Sequence, residues 1–234
     1  MALINGIEVL TTLEERVAPA HTALLVVDMQ NDYCAPGGAA DRDGRDISLA
    51  QAIVPHLRAL VEAARAVSIP VLWAQYTLGP GTAGLSGPEL LRRGHNFKGA
   101  AATIKGTWGH AIMDGLGYRP DEDLAFEKRR LSCFVGTELD LYLHSRGIKT
   151  LVVTGVVTQG CVETTVRDAA CYDYYVAVAA DCVASTKWEW HERALQNMAT
   201  FLRYDDAITT SERLRALWAT TPARTGLPTA EAAR

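Results

Sequence analysis

Short apolar runs alternate with amphipathic stretches along this chain, and the rhythm is regular enough to set a fold class. Runs such as Ala23-Leu24-Leu25-Val26-Val27 and Thr150-Leu151-Val152-Val153 are apolar without interruption, which marks strands buried on both faces rather than one. The pattern predicts strands at Ala23 to Asp28, Pro70 to Tyr76, Asp123 to Glu127, Thr150 to Thr154, Tyr175 to Ala180 and, more weakly marked, Ala207 to Thr209. Between them, periodic stretches predict helices at about 47–66, 137–146, 161–172, 189–203 and 211–218, one of them closing at Gly147. Strands alternating with helices imply a parallel sheet covered on both faces. The expected architecture is α/β: a three-layer α/β/α sandwich around a six-stranded, mainly parallel, Rossmann-like sheet with right-handed connections.

One segment breaks the rhythm. Thr77 to Pro120 is rich in glycine and holds His95, Trp108 and His110, the composition of an inserted lid or subunit contact. The last stretch, Thr220 to Arg234, is rich in Ala, Thr and Pro and is expected to fray. The rest of residues 1–234 reads as a single domain, and no internal repeat is present. A net charge of -4 without a dense basic cluster argues against nucleic acid as a partner and favours small-molecule chemistry. The five cysteines are odd in number and lack metal-ligand spacing, which fits a reducing cytoplasm. No run approaches the roughly 20 apolar residues that span a bilayer, and residues 1–20 hold Glu8, Glu14, Glu15 and Arg16 with no sustained apolar stretch, so no export signal is expected there.

In open α/β sheets ligands bind beyond the carboxyl ends of the strands, so polar residues there are the first candidates. Asp28 ends the first apolar run and Lys128 ends Leu124-Ala125-Phe126-Glu127-Lys128. Cys161 follows the fourth strand after the short turn Gly155-Val156-Val157-Thr158-Gln159-Gly160. That position places Cys161 in the first turn of the next helix, where free amides and the helix dipole are expected to lower a thiol pKa from about 8.5. A carboxylate, an ammonium and a thiol on one sheet edge make a nucleophilic site. Each residue taken alone has a plainer reading: Asp28 as a loop cap, Lys128-Arg129-Arg130 as solvated surface, and any cysteine as packing. Cys171 and Cys182 fit inert packing, whereas Cys34 and Cys133 belong nearer the site. The histidines show no pair at metal spacing.

The ordered motifs together resemble the isochorismatase-like cysteine hydrolases, over about Ala23 to Phe201. Leu25-Val26-Val27-Asp28-Met29-Gln30-Asn31-Asp32-Tyr33 is similar to the family's opening strand. Lys128-Arg129-Arg130-Leu131-Ser132-Cys133-Phe134, followed by Gly136-Thr137-Glu138-Leu139, is similar to its lysine motif, with cysteine at Cys133 where alanine is more usual. Gly155-Val156-Val157-Thr158-Gln159-Gly160-Cys161-Val162 is similar to the nucleophile motif, and Arg167-Asp168-Ala169 to the helix after it. Isochorismatases proper lack the cysteine, so the resemblance implies hydrolysis of a C–N bond rather than of a vinyl ether.

The resemblance further implies a catalytic triad of Asp28, Lys128 and Cys161 and a cis peptide between Val156 and Val157. It also implies an oxyanion hole formed by the amides of Val157 and Cys161. No cofactor is implied. The metal cluster that nicotinamidases of the family carry after the second strand has no counterpart in Trp73-Ala74-Gln75-Tyr76-Thr77-Leu78-Gly79-Pro80, so no metal is expected. Lys105-Gly106-Thr107-Trp108-Gly109, Val162 to Asp168, His144 to Ile148 and Tyr172-Asp173-Tyr174-Tyr175 resemble the ureidoacrylate and biuret hydrolase branch. The implied substrate is therefore a small ureido or carbamoyl compound, with a nicotinamide-like or maleamate-type amide as the alternative. Gln30, Tyr33, Gln75, Tyr76, Trp108 and Phe134 are the candidate pocket residues, and Arg92, Arg93, Lys98 and Lys105 are the cations available to a substrate carboxylate. A homodimer or homotetramer is the assembly the resemblance implies. The reading from another class is a catalytically idle interaction protein, which the filled triad disfavours.

Overall fold

A computed structural model of the chain describes residues 1–80, 83–92 and 102–220. The side chain of Arg92, together with Arg93, His95, Lys98 and the tail beyond Thr220, lies outside the described residues. A small antiparallel hairpin, β1 (Ala2–Ile4) and β2 (Ile7–Val9), precedes the main sheet. The main sheet contains β3 (Thr22–Val27), β4 (Val71–Tyr76), β5 (Leu124–Lys128), β6 (Thr150–Val156), β7 (Tyr175–Ala184) and β8 (Ile208–Thr209). Their order is β5-β4-β3-β6-β7-β8, and every pairing is parallel. The sheet expected to be mainly parallel is parallel throughout. From β3 the chain winds outward through β4 to β5, then returns to β6 on the other side of β3, which makes the β3/β6 junction the topological switch point.

Three one-turn helices, α1 (Leu13–Arg16), α2 (Asn31–Cys34) and α3 (Ala39–Arg42), lead to α4 (Ser48–Ala52) and α5 (Val54–Ala66). Then follow α6 (Gly87–Arg92), α7 (Leu139–Ser145), α8 (Glu163–Cys171), α9 (Trp188–Leu202) and α10 (Ser211–Thr220). The single helix expected over about 47–66 is interrupted at Ile53. Pro55, in the first turn of α5, has no N–H to offer and its ring would collide with the carbonyl one turn back, so a continuous helix is not available.

Strand alternation divides the core. Leu24 and Val26 face one side with Trp73 and Val152, packed against Leu57, Leu60 and Val61 of α5 and Leu214 and Trp218 of α10. Ala23, Leu25 and Val27 face the other with Leu72, Leu151 and Val153, packed against Leu143 of α7, Val166 of α8 and Met198 of α9. A fully buried side chain of this kind contributes about 1.5–3 kcal/mol. Because both faces of β3 and β6 are covered this way, charged side chains are left to the strand ends, and the one polar side chain inside β6, Thr154, donates to Leu25 O at 2.9 Å.

Gly155 brings the two central strands into closer contact than any other residue would permit. It lies opposite Val27 with a φ of +102°, and a Cβ there would overlap the carbonyl oxygen and nitrogen of Val27. The register of β6 against β7 shifts at the same place, so the chain leaves the sheet beside Asp28. Gly155→Ala is expected to lower folding stability by about 3 kcal/mol, from the positive φ and the overlap together. Chemical denaturation checks this, and an alanine variant as stable as the parent would refute the packing argument.

Candidate active site

Asp28 follows β3 and is 1% exposed. Its φ is +52°, in the left-handed region that aspartate tolerates better than most residues, and its amide still donates to Ala74 O at 3.0 Å. The bend turns the carboxylate out of the strand direction at the switch point. Lys128 is the last residue of β5 and is also 1% exposed, whereas Arg129 and Arg130 after it are exposed, so only the lysine departs from the solvated-surface reading. With β4 lying between them, β5 and β3 are two strand spacings, about 9.6 Å, apart, and the lysine side chain extends across β4 with Nζ 4.9 Å from the centre of the Tyr76 ring. It reaches Asp28 Oδ2 at 2.8 Å and Cys161 Sγ at 3.2 Å, and it donates to the carbonyls of Arg130 and Leu131 at 3.1 Å each.

Cys161 is 8% exposed. It lies not in the α-helix proper, as expected, but in a π-helical turn, Thr158–Val162, that precedes α8. The peptide between Val156 and Val157 is cis. Gly160 N donates to Val157 O at 2.9 Å, and Thr165 Oγ1 donates to Cys161 O at 2.6 Å while accepting from Cys133 N at 3.0 Å. Thr165 therefore ties the nucleophile turn to the loop after Lys128.

The electrostatics differ from the expectation in one respect. Burial pushes the Cys161 thiol above its ordinary value, the Asp28 carboxylate pushes it further, and Lys128 offsets only part of this. The helix-terminus argument predicted the opposite direction; burial beside the Asp28 carboxylate outweighs it. Burial also raises Asp28, against the pull of Lys128. Burial opposes the charge on Lys128, but the attraction of Asp28 wins and its pKa ends above the usual lysine value. The geometry places Asp28 and Lys128 in ion-pair contact beside the Cys161 thiol, whose ionisation burial opposes. Lys128 Nζ engages Oδ2 of Asp28, and a carboxylate has about four acceptor sites, which leaves it room to take a proton.

The pocket candidates separate into two groups. Tyr76 lies beside Lys128, with its hydroxyl donating to the buried Glu89 at 2.7 Å. Gln30 and Gln75 are engaged elsewhere: both side-chain amides donate to His110 O, at 2.7 and 2.9 Å, and Gln30 also pairs with the backbone of Tyr76 in both directions. They clamp the Trp108–His110 turn onto the sheet edge rather than leaving amides for a ligand. The Trp108 side chain is exposed, while Tyr33 packs against the core on the α5 side. Phe134 is buried and stacks on Tyr172 with ring centroids 5.0 Å apart. Lys105 pairs with Glu127 at 2.6 Å.

Several participants escaped the sequence reading. His110 Nε2 meets Thr77 Oγ1 at 2.8 Å, and Asp32 accepts from the amides of Ala39 and Thr103, so part of the inserted segment is fastened to the sheet edge by buried polar contacts. Gln159 Oε1, in the nucleophile turn, is buried with no donor among the described residues. Their only signal in the sequence was proximity to a motif. Cys171, assigned to inert packing, is exposed because it ends α8 facing solvent. Cys133 is buried beside the site, its thiol pushed up to about 12 by burial despite Lys128. Among the described residues no group of three or more His, Cys, Asp or Glu could hold a metal ion, and no helix is long and apolar enough to cross a membrane.

The sequence and the fold are similar to those of known proteins. Residues 22–212 match the family described as the isochorismatase domain. The ureidoacrylate amidohydrolase RutB of Methylobacterium radiotolerans is 38% identical over 211 residues, covering 84% of this chain and 81% of that protein. The RutB of an Enterobacter species is 36% identical over 215 residues, covering 85% and 93%. Among solved structures, a cysteine hydrolase from Pseudomonas syringae pv. phaseolicola superposes with a TM-score of 0.76 at 23% identity, covering 91% of this chain and 98% of that one. An N-carbamoylsarcosine amidase from Thermoplasma acidophilum gives 0.65 at 26%, covering 82% and 97%. With the family's domain matched over residues 22–212 and relatives 36–38% identical over 84–85% of its length, this chain belongs to the isochorismatase family of hydrolases.

Proposed function

We propose that the protein is a cysteine-dependent amidohydrolase that cleaves the C–N bond of a small ureido or carbamoyl compound and releases ammonia. The chain is a hydrolase of non-peptide C–N bonds, in keeping with its amidohydrolase relatives. The observation that carries the finer reading is the buried contact set around one ammonium: Lys128 Nζ at 2.8 Å from Asp28 and 3.2 Å from Cys161.

In the proposed reaction Asp28 takes the Cys161 proton as sulfur attacks the substrate carbonyl, so a thiolate forms only when a bond to carbon is forming. The raised thiol pKa suits this order, since the nucleophile is held protonated until substrate arrives. The amides of Val157 and Cys161 take the developing oxyanion. Collapse breaks the C–N bond, and Asp28 returns the proton to the departing nitrogen. Water, giving its proton to Asp28, then attacks the thioester; the C–S bond breaks and Cys161 recovers the proton. From a ureido group the acid released is a carbamic acid, which breaks down to amine or ammonia and carbon dioxide. Lys128 keeps its charge throughout and holds both partners.

An ammonia-release screen across small ureides, carbamoyl amino acids, biuret, nicotinamide and maleamate tests the reading. Turnover is expected with ureido or carbamoyl members of the panel; exclusive turnover of nicotinamide or maleamate would overturn the substrate class. The pH profile tests the base. Asp28 accepts a proton only above its own pKa, which burial raises, so kcat/KM should fall on the acid side with a midpoint above the usual carboxylate range. A midpoint at or below that range would remove Asp28 from this role.

A further inference from the structure

The nucleophile turn is held on its far side by a contact that the proposed chemistry does not use. Thr158 begins the turn and is fully buried, and its Oγ1 lies 3.0 Å from Nδ1 of His191. His191 is buried in the first turn of α9. Its ring leans on Trp188, with centroids 5.1 Å apart, and its amide bonds to Lys187 O at 3.2 Å. Burial holds the imidazole below its ordinary pKa, against the opposing charge of Glu192. At neutral pH the ring is neutral, and Nδ1 and the hydroxyl share one proton between them.

The turn has no capping side chain at Val157. Its other side-chain ties, Thr165 Oγ1 to Cys161 O and Lys128 Nζ to Cys161 Sγ, both hold the Cys161 end. The Thr158 contact holds the opposite end, next to the amide of Val157. We propose that the Thr158–His191 hydrogen bond is a positioning device that sets the direction of the Val157 amide relative to Cys161 and thereby completes the oxyanion hole from α9. Both are positioning residues acting through the turn, and neither touches substrate. The inference rests on reading the Val157 and Cys161 amides as the oxyanion hole. Its expected size follows from geometry: a displacement of about 1 Å at a reacting group costs about 10²-fold in rate.

The test compares shape-conserving variants that lose the bond with variants that keep it. Thr158→Val and His191→Phe should lower kcat by about 10- to 100-fold while KM stays within about threefold, because the loss falls on the transition state. Thr158→Ser and His191→Asn, whose groups can remake the bond, should stay within about threefold of the parent. The Thr158→Val/His191→Phe double variant should lose no more than either single variant, since both remove one bond. Haloacetamide alkylation of Cys161 should be unaffected in all of them, which a general loosening of the fold would not allow. The inference is overturned if Thr158→Val and His191→Phe keep kcat, if the Ser and Asn variants fall equally, or if the double loss is the product of the single ones. Amide hydrogen exchange over residues 157–162 reads the tether without any turnover: it should quicken in the Val and Phe variants alone. Uniform exchange across the series would sink the tether. An absence of amide turnover in the parent, with that exchange difference intact, would sink the amidohydrolase reading instead.

Discussion

Cys161→Ala is expected to reduce turnover on the order of 10⁴-fold or more while the protein remains folded. Without sulfur there is no atom at 3.2 Å from Lys128 to attack a carbonyl, and no other thiol can take over. Cys133 is the nearest alternative by position, yet it is buried, with a thiol pushed up to about 12 and its amide bonded to Thr165. Lys128 would still have Asp28 and the carbonyls of Arg130 and Leu131, so the ion pair survives the change. The fold should lose little, about 1 kcal/mol, equivalent to roughly 2–4 °C in Tm for a chain of this size. The exposed Cys171 supplies the control: Cys171→Ser should leave both turnover and stability unchanged. Wild-type activity in the Cys161→Ala protein would end the nucleophile assignment.

Asp28→Asn separates making a thiolate from using one. The carboxylate raises the Cys161 pKa through its charge, whereas Lys128 lowers it. With the charge removed and Lys128 kept, Cys161 should ionise at lower pH than in the parent, as read by the ultraviolet absorbance of the thiolate. Turnover should nevertheless fall about 10²- to 10⁴-fold, because an amide can neither take the thiol proton nor return it to the leaving nitrogen. A better nucleophile in a worse enzyme is the signature of a proton shuttle. If the variant retained more than about a tenth of the parent kcat/KM, the range typical of general acid–base catalysis would not be met and Asp28 would be only an orienting group.

The strands were legible because β3, β4 and β6 are covered on both faces, so their apolar runs admit few other readings. The site was legible for a related reason. Asp28 and Lys128 are charges that close apolar strands, and a parallel sheet delivers all its strand ends to one edge. The break at Ile53 carried a signal, Pro55, that the long helical periodicity around it outweighed. Gln30 and Gln75 looked available for a ligand because side-chain amides near strand ends often are. That both would close on the carbonyl of His110, from a segment 35 or more positions away in the chain, has no local signature. The tie between Thr158 and His191, 33 positions apart, was equally invisible.

Amino-acid order alone was enough for the class of fold and the family, and it was enough to nominate Asp28, Lys128 and Cys161, because each depends on local periodicity or on contiguous motifs. The charge states within the site were decided by the folded structure. Lys128 spans β4 to reach Asp28, and both are buried together with Cys161. Burial depends on everything packed around a group, so a thiol that local helix position would have favoured ionising is instead pushed the other way, with the Asp28 carboxylate 2.8 Å from the shared lysine.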